Sequence, residues 1–586
     1  MLIVFKFMIN PFLRRIKKGT IFEGSSRQSG KESIRIFPLG GTGNVTKNMF
    51  LYEYLYDGKI RDILIVDCGI GFPDAEMFGV DLVLPDVRYL DDKKGLIRGL
   101  VFTHGHDDHI GGIAHLYPKL GRVPMWGTTL TAAFTNLKLG QRGIKSKVTP
   151  VTFDDVLKIG PFTVSFVHVT HSVPDAANLI IETPIGIFYH GSDFKFDFDP
   201  LDGKLSHLDK ITAVGKKGVL CLLTDSLGSE RPGFTPSEQV VGLTLEKEIT
   251  LSTGKFIFTT QSSNIARIQL AIEIALRHGR KIAIFGRSMD QNIEESLKLG
   301  YMNFPRDSII LDRDLKRMPP TKQFLIVAGA QGQEGSALSR IANDDHKFVR
   351  IDEGDTVVFS ADPIPGSENN INALIEQLYR KGARIAYSDI MEDLHVSGHG
   401  SQGDLMLMLA AVGPKYIMPM GGTYRHMMQY RRLAADLGYT KREVLIPEEG
   451  EILEFKAGVP PKVVETVNLE NIMIDGLGIG DVGDVVLRDR QTIATEGIVV
   501  VVVPMEKSTG RVVAEPDIIS RGFVYMKESG QLLDEAKHVV NNSLRLKKGR
   551  IFDWHFVRKQ MENNLERFLR DKTGRTPLIV PVIVEV

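Results

Sequence analysis

The stretch Gly99-Leu-Val-Phe-Thr-His-Gly-His-Asp-Asp-His-Ile-Gly-Gly112 constrains this chain more than any other. A short apolar run, Leu100 to Phe102, predicts a buried strand, and the chain leaves it carrying His104, His106, Asp108 and His109. Neutral imidazoles and carboxylates are ligands that suit zinc or manganese. Side chains two apart in extended backbone fall on one side. His104 and His106 therefore share a face, while Asp108 and His109 turn towards the other side of the same small cavity. One loop thus offers two ligands to each of two metals. The bland alternative is a solvated, histidine-rich loop; a lone His pair is common, but H-x-H-x-D-H directly behind a strand is not.

Two later runs supply the rest. Phe162-Thr-Val-Ser-Phe-Val-His168 alternates as a half-buried strand and leads to His171; Ile185 to His190 is a further strand and leads to Asp193. His104, His106 and His171 would hold one metal, Asp108 and His109 the other, with Asp193 bridging. Two cations a few Å apart can activate water at neutral pH and clamp the oxygens of an in-line displacement at phosphorus. Asp67 closes the strand-like run Ile63 to Cys68. It either orients the histidine loop from behind or caps a turn.

Around this centre the chain reads in blocks. Met1 to Lys18 puts an apolar start before Arg14, Arg15, Lys17 and Lys18, the wrong order for a secretory signal. A weak membrane-surface anchor is one reading of it; a frayed leader over 1–32, or translation starting at Met8, is the favoured one. Residues 33–235 carry short β-like runs, a helix at Ala132 to Leu139, and a buried strand from Leu220 that ends in Asp225. From 236 to 390 the pattern changes. Strand-like runs (Ile282 to Phe285, Phe324 to Ala328, Thr356 to Ser360) alternate with helical ones (Ser263 to Leu276, Met289 to Leu299, Ile371 to Lys381). That alternation predicts a doubly wound parallel α/β domain inserted into the first. Residues 391–455 return to the first domain, 456–468 with Gly458, Pro460 and Pro461 read as a linker, and 469–586 as a small α+β domain with two helices.

Composition excludes several classes. Lys+Arg and Asp+Glu stand at 72 each, so any nucleic-acid surface must be a local basic groove. Two cysteines, Cys68 and Cys221, rule out a disulfide framework and fit a reducing cytoplasm. No run reaches the ~18 consecutive apolar residues of a membrane span, so no stable membrane insertion is expected.

With these motifs in place the chain resembles the metallo-β-lactamase superfamily. The insertion, with Thr260-Gln-Ser-Ser-Asn264, Gly286-Arg-Ser-Met289 and Gly329 to Arg340, resembles the β-CASP nucleases, and ribonuclease J most of all. The likeness also takes in His395-Val-Ser-Gly-His-Gly-Ser-Gln402, Gly480 to Gly483 and Asp517 to Tyr525. It implies an αββα metallo-β-lactamase sandwich with an inserted doubly wound β-CASP domain and a small C-terminal α+β domain. It further implies two zinc ions per subunit, with manganese as the alternative, on His104, His106, Asp108, His109, His171 and Asp193. By resemblance Asp225 is a proton donor and His399 its catalytic companion. Ser263, Asn264 and Ile265, together with His395, Val396, Ser397, Gly398 and His399, match a pocket for a 5′ phosphate. Read without the resemblance, Ser263-Asn264 is an ordinary helix cap. The implied activity is a 5′→3′ exonuclease on 5′-monophosphorylated RNA with endonuclease action besides, serving rRNA maturation and mRNA decay. The implied assembly is a homodimer or tetramer.

One departure matters. Family members usually carry a further metal-binding His in a Pro-x-His-Gly-Glu stretch; here it reads Pro419-Met-Gly-Gly-Thr423, with Gly421 in place of the His. Four outcomes follow: water fills the gap, His426 swings in, one metal suffices, or the protein binds RNA without cleaving it. The remaining rival is a small-molecule hydrolase, against which the 236–390 insertion argues, since it would roof the site for a polymer.

Overall fold

The structure is a computed structural model that describes residues 31–586 apart from 75, 365–366, 477, 481, 507, 509–510, 524–529 and 545–553. The leader reading therefore lies outside the described residues, except that Glu32 already opens the first strand, Glu32–Gly40. Asp481 of the Gly480–Gly483 motif, and the last two residues of the Asp517–Tyr525 motif, also lie outside them. The described chain divides into two compact units, one reaching to Phe72 and resuming over Val83–Ile472, the other made of Pro73–Leu82 and Met473–Val586.

Two sheets form the heart of the first unit. One has eight strands, running from Val459–Thr466 at one edge through Glu451–Lys456, Glu32–Gly40, Met49–Tyr56, Lys59–Val66, Ile97–Val101 and Met125–Thr128 to Val148–Val151. The other has six, ordered Tyr416–Met420, Val219–Asp225, Gly186–Gly191, Ala177–Thr183, Phe162–His168, Val156–Ile159. Alternation along each strand decides which layer a residue joins. Leu223 packs between the sheets with Phe50, Tyr52 and Phe188. Its neighbour Leu222 faces the other way, against Ile211, Met408 and Tyr430 of the covering helices Leu208–Lys217, Gln402–Val412 and Tyr424–Asp436. Strands whose two faces are both buried read as continuous apolar runs, which is why Leu220 to Leu223 shows no period.

The inserted domain is a five-stranded, all-parallel sheet ordered Lys281–Phe285, Gln323–Val327, Phe256–Thr259, Thr356–Phe359, Arg384–Ala386. Its first strand in sequence lies in the middle, so the chain crosses over in opposite directions from it. Such a switch point opens a crevice at the carboxyl ends of the strands. The Thr260–Asn264 and Ser360 segments emerge there side by side, with Thr260 Oγ1 donating to Ser360 O at 2.8 Å.

The segment 456–468 corrects the linker reading. Val459–Thr466 is a strand paired antiparallel with Glu451–Lys456 after a tight turn in which Gly458 sits at φ 74°. Pro460 and Pro461 are tolerated because this is the sheet's edge, where a missing N–H breaks no ladder bond on the outer side. Its side chains are mostly exposed, so no buried face marked it in the sequence.

The second unit holds a three-stranded sheet with Ile498–Met505 between Asp517–Arg521 and Leu578–Glu585. Val499, Val501 and Val503 alternate onto one face and bury Leu533, Val540, Met561 and Leu565 of the helices Gly530–Leu544 and Trp554–Thr573. Among the described residues no helix is long and apolar enough to cross a membrane. Cys68 and Cys221 are buried free thiols.

Glu53 is a polar anomaly of the eight-stranded sheet: it is fully buried, and burial pushes its carboxyl up to about 7 against the pull of Tyr89 and Arg35. The folded state thus keeps a proton that the unfolded chain releases near pH ~4.3, so this residue's contribution falls as pH rises from there to about 7 and is constant above. Glu53→Gln is expected to gain on the parent across that window, by on the order of 3 kcal/mol in full. Urea unfolding at pH 5 and 8 checks this; an advantage that does not grow with pH contradicts it.

Candidate metal centre

Every side chain that the sequence pattern singled out for metal binding is delivered by a strand end or the short loop after it. Ile97–Val101 runs into the loop bearing His104 and His106, and Asp108 and His109 sit in the short helix Asp107–Ile110 that follows. His171 and Asp193 follow Phe162–His168 and Gly186–Gly191. Their ligand atoms converge in two groups, His104 with His106, His171 and Asp193, and Asp108 with His109 and Asp193. Asp193 is common to both. Its Oδ2 lies 3.6 Å from His104 Nε2, 3.3 Å from His109 Nε2 and 3.9 Å from His171 Nε2.

Hydrogen bonds around the rings settle which nitrogens face inward. His171 Nδ1 sits 2.7 Å from Gly398 O, which can only accept, so that nitrogen carries the proton and Nε2 presents a lone pair. His109 Nδ1 likewise donates to Asp67 Oδ2 at 2.7 Å. Asp67 also accepts from the backbone and hydroxyl of Thr103, at 2.8 and 2.7 Å. Asp67 therefore orients the loop, as one of its two sequence readings held. His106 Nδ1 lies 3.2 Å from His104 Nε2 and 3.0 Å from His171 Nε2. Those spacings are close to the ~3.3 Å edge of a tetrahedron built on ~2.0–2.1 Å zinc–nitrogen bonds.

Electrostatics agree with a cation there. Burial holds His104 and His171 well below the usual imidazole range, and holds His106 at about 4, so the three rings are neutral near pH 7. Metal ligands must be deprotonated. Burial works against charge on His109 too, yet Asp193, Asp108 and Asp67 overcome it and raise that ring. Burial alone would lift Asp193; His109 and His399 pull it well below the carboxylate range. Three neutral rings around the ionised Asp193 fit a divalent cation at the first group, whereas at the second the raised His109 ring would have to give up its proton to a cation.

Beside this centre Asp225, the last residue of its strand, accepts from His399 Nδ1 at 2.8 Å. Burial opposes charge on His399, but Asp225 and Asp193 outweigh it and hold the ring at about 9. Burial raises Asp225 in turn, against the pull of His399. Gly398 is where the loop must come close: a Cβ there would stand 2.7 Å from the His171 ring and 2.8 Å from Ser172 Oγ. Gly398→Ala is expected to push His171 off its line and weaken metal affinity by roughly 10- to 100-fold, as other losses of a ligand's hydrogen-bond partner do. Competition with a chromophoric chelator measures it, and unchanged affinity contradicts it.

Gly421 has φ 64°, and a Cβ on it would lie 3.5 Å from Asp225 Oδ1 and 3.8 Å from Asp193 Oδ1. The side chain absent at Gly421 is thus absent from beside Asp225 and the shared Asp193. His426 does not replace it: its Nδ1 caps the helix Tyr424–Asp436 through Thr423, at 3.2 Å from N and 3.0 Å from Oγ1, and its Nε2 faces Glu230 at 3.6 Å.

The two segments read as a phosphate pocket are joined by a residue that the sequence did not flag. Arg267 is fully buried, forks onto Glu238 at 2.8–3.0 Å, and donates to Ser360 O at 2.9 Å and Val396 O at 2.7 Å. It also donates to His395 Nδ1 at 2.7 Å. Asn264 caps the helix Ile265–Arg277 by accepting from Arg267 N at 3.2 Å, so the helix-cap reading holds for it. Ile265 is buried in the core, and Ser397 Oγ accepts from His399 N at 3.1 Å. Asn48 was also missed; its side chain reaches His109 Nε2 at 3.1 Å and Asp108 Oδ2 at 3.4 Å.

A sandwich whose strand ends gather histidines around a shared aspartate, interrupted by a doubly wound insertion, defines a metallo-hydrolase of the metallo-β-lactamase superfamily, here of the nuclease class. Residues 48–259 match the metallo-beta-lactamase superfamily and 388–447 a Zn-dependent metallo-hydrolase RNA specificity domain. Residues 253–378 match the ribonuclease J beta-CASP domain and 485–586 the ribonuclease J C-terminal domain. Similar proteins include Ribonuclease J 1 of Streptococcus pyogenes, 38% identical, with 94% of this chain and 97% of that protein covered. Ribonuclease J2 of Bacillus subtilis is 37% identical, covering 96% and 100%. Ribonuclease J of Thermus thermophilus is 36% identical, covering 96% and 97%. The chain belongs to the ribonuclease J family of RNA-processing, divalent-metal hydrolases.

Proposed function

We propose that this chain is a 5′→3′ exoribonuclease acting on 5′-monophosphorylated RNA, with endonucleolytic cleavage as a second mode, in rRNA maturation and mRNA decay. Two zinc ions per subunit, with manganese as the substitute, are assigned to His104, His106, His171 and Asp193 on one side and Asp108, His109 and Asp193 on the other. The cytoplasm is its place, and a homodimer or tetramer its assembly. The observation that carries this reading is the shared carboxylate of Asp193 between two converging ligand groups.

Cations bound there supply charge that activates water and neutralises the oxygens of a phosphodiester. The rest falls to the chain's own groups. The proton held between His399 Nδ1 and Asp225 Oδ2 is available to the departing 3′ oxygen, which must be protonated as it leaves. His399 Nε2, on the other side of the same ring, faces the centre 3.9 Å from Asp193 Oδ2 and can donate to a phosphate oxygen. Arg267 fixes His395 and Val396 against the Ser263–Ile265 turn, so that the two halves of the 5′-phosphate pocket keep one spacing. Metal content per chain, measured with turnover of a 5′-monophosphorylated RNA, tests the reading. Stepwise loss from the 5′ end supports it; tight RNA binding with two metals and no turnover overturns it.

Gly421 favours a second reading, a catalytically weakened subunit whose second cation is held loosely. Gly421→His is expected to raise second-site affinity about tenfold or more, since each additional kcal-scale ligand contact of 1.4 kcal/mol is a factor of ten. His is among the residues enriched in the left-handed region, so φ 64° is accessible to it. Metal titration of both proteins decides; equal affinity shows that another ligand already fills the place.

A further inference from the structure

Asn48, the residue before the strand Met49–Tyr56, brings an amide against the second ligand group. Its Nδ2 lies 3.1 Å from His109 Nε2 and 3.4 Å from Asp108 Oδ2. Those two atoms are 3.6 Å apart, and Asp193 Oδ2 stands 3.3 Å from the same Nε2. All four separations lie near the ~3.3 Å edge of a tetrahedron of ligand atoms on ~2.0–2.1 Å bonds. Three of its corners are the candidate ligands of the second group. The fourth is the Asn48 amide.

The chain fixes this amide from several directions. Asn48 is 1% exposed; its N donates to Asp108 O and its O accepts from Gly69 N, both at 2.9 Å. Lys47, just before it, takes φ 63° and anchors its Nζ on Glu449 at 2.6 Å and Asn471 at 2.8 Å. Beyond the amide the backbone passes close, since a Cβ on Gly41 would stand 2.2 Å from Asn48 Oδ1. A side chain enclosed in this way has little room to swing out. It can still turn half-way about its own Cβ–Cγ bond, which exchanges Nδ2 for Oδ1 with almost no change of shape.

That half-turn decides what a cation meets. His109 Nδ1 donates to Asp67, so Nε2 is the nitrogen that faces a cation. An Nδ2–H aimed at Nε2 competes with the cation for one lone pair, and its own positive end repels the ion. Turned about, the same side chain presents a carbonyl oxygen, and only a 3.3 Å hydrogen bond to Val45 O is given up. We propose that Asn48 is a ligand of the second cation through Oδ1, beside Asp108, His109 and Asp193. It leaves the space next to Gly421 as it is, because the nearest described atoms to a Cβ there belong to Asp225 and Asp193.

The inference rests on the metal assignment proposed above and not on RNA cleavage. Zinc and manganese titrations of the full chain against a chromophoric chelator read it in the parent, Asn48→Ala and Asn48→Asp. Asn48→Ala is expected to lose second-site affinity by about tenfold or more, the scale set even by a ligand's outer hydrogen-bond partners, while the first site is unchanged. Asn48→Asp supplies an oxygen but no N–H. A ligand role therefore puts its second-site affinity at or above the parent's, whereas a role as hydrogen-bond donor alone predicts a loss like that of alanine. An alanine variant that binds the second metal as tightly as the parent overturns the inference, as does an aspartate variant that falls with it. If neither variant folds, zinc-loaded crystals of the parent decide. A second anomalous peak ~2.0–2.2 Å from the Asn48 amide oxygen supports the assignment, and one out of bonding reach of it overturns it. A parent that takes one metal per chain overturns this inference alone; a parent that takes none overturns the metal assignment with it.

Discussion

Asp193→Ala is expected to lose metal and turnover together, with kcat reduced on the order of 10³-fold or more, equivalent to ~4 kcal/mol of barrier. The reason is positional. Oδ2 of this residue stands within 3.3–3.9 Å of four imidazole nitrogens, those of His104, His109, His171 and His399. It is the carboxylate common to both ligand groups. Without it three neutral rings remain on one side and Asp108 with His109 on the other, and nothing anionic lies between two cations that would repel each other. Asp193→Asn keeps the volume and isolates the charge. Metal analysis after dialysis, with single-turnover cleavage, reads both effects. An alanine variant that retains both metals and cleaves within tenfold of the parent contradicts the assignment.

The second large effect is one of stability. Arg267→Ala is expected to cost about 3–5 kcal/mol, the usual result of breaking a buried ion pair by removing one partner. Glu238 would be left in a dry setting with Lys195 Nζ, 3.6 Å away, as its remaining cation. Val396 O, Ser360 O and His395 Nδ1 would each lose a donor. Arg267→Lys should recover part of this through the charge alone, since an ammonium cannot fork across Glu238 and reach Val396 as well. Pairing the truncation with Glu238→Gln should restore more stability than the single variant keeps, because the stranded charge is gone. It should not restore the loop, so KM for 5′-monophosphorylated RNA stays raised. Denaturant unfolding of the three variants tests the order; a single alanine variant within about 1 kcal/mol of the parent refutes it.

The convergence of the candidate metal ligands was legible because each follows a strand whose apolar pattern is plain. Ile97–Val101, Phe162–His168 and Gly186–Gly191 are read from alternation or from an apolar run, and the residues just beyond them have few places to go. The inserted domain was legible for the same reason, whereas the layering of the sandwich came from the family resemblance. Arg267 was not. It sits in a helix whose apolar stripe includes Ile265, Ile268, Ile272 and Ala275, and only the neighbouring loops and Glu238, brought in by tertiary structure, reveal why a guanidinium is buried there. Asp67 stayed between two readings because a lone acid after a strand serves either; the 2.7 Å contact to His109 Nδ1 decides between them. The edge strand Val459–Thr466 escaped because exposure and prolines, taken together, look the same in an edge strand as in a linker.

Gly421 connects the sequence to the chemistry most directly, since the nearest atoms of the described residues to a Cβ on it belong to Asp225 and Asp193. The two ligand groups are therefore unequal. The group of His104, His106, His171 and Asp193 has four ligands and should fill first; the other, with Asp108, His109 and Asp193, should fill at higher metal concentration.

Anomalous diffraction at the zinc edge, from crystals of the full chain grown with zinc, reads the arrangement at its source. A strong peak is expected at ~2.0–2.2 Å from His104 Nε2, His106 Nδ1, His171 Nε2 and an oxygen of Asp193. A weaker one is expected beside Asp108 and His109. Zinc-loaded crystals with no peak among the three histidines, or with rings turned so that those nitrogens face apart, would contradict the account at its root.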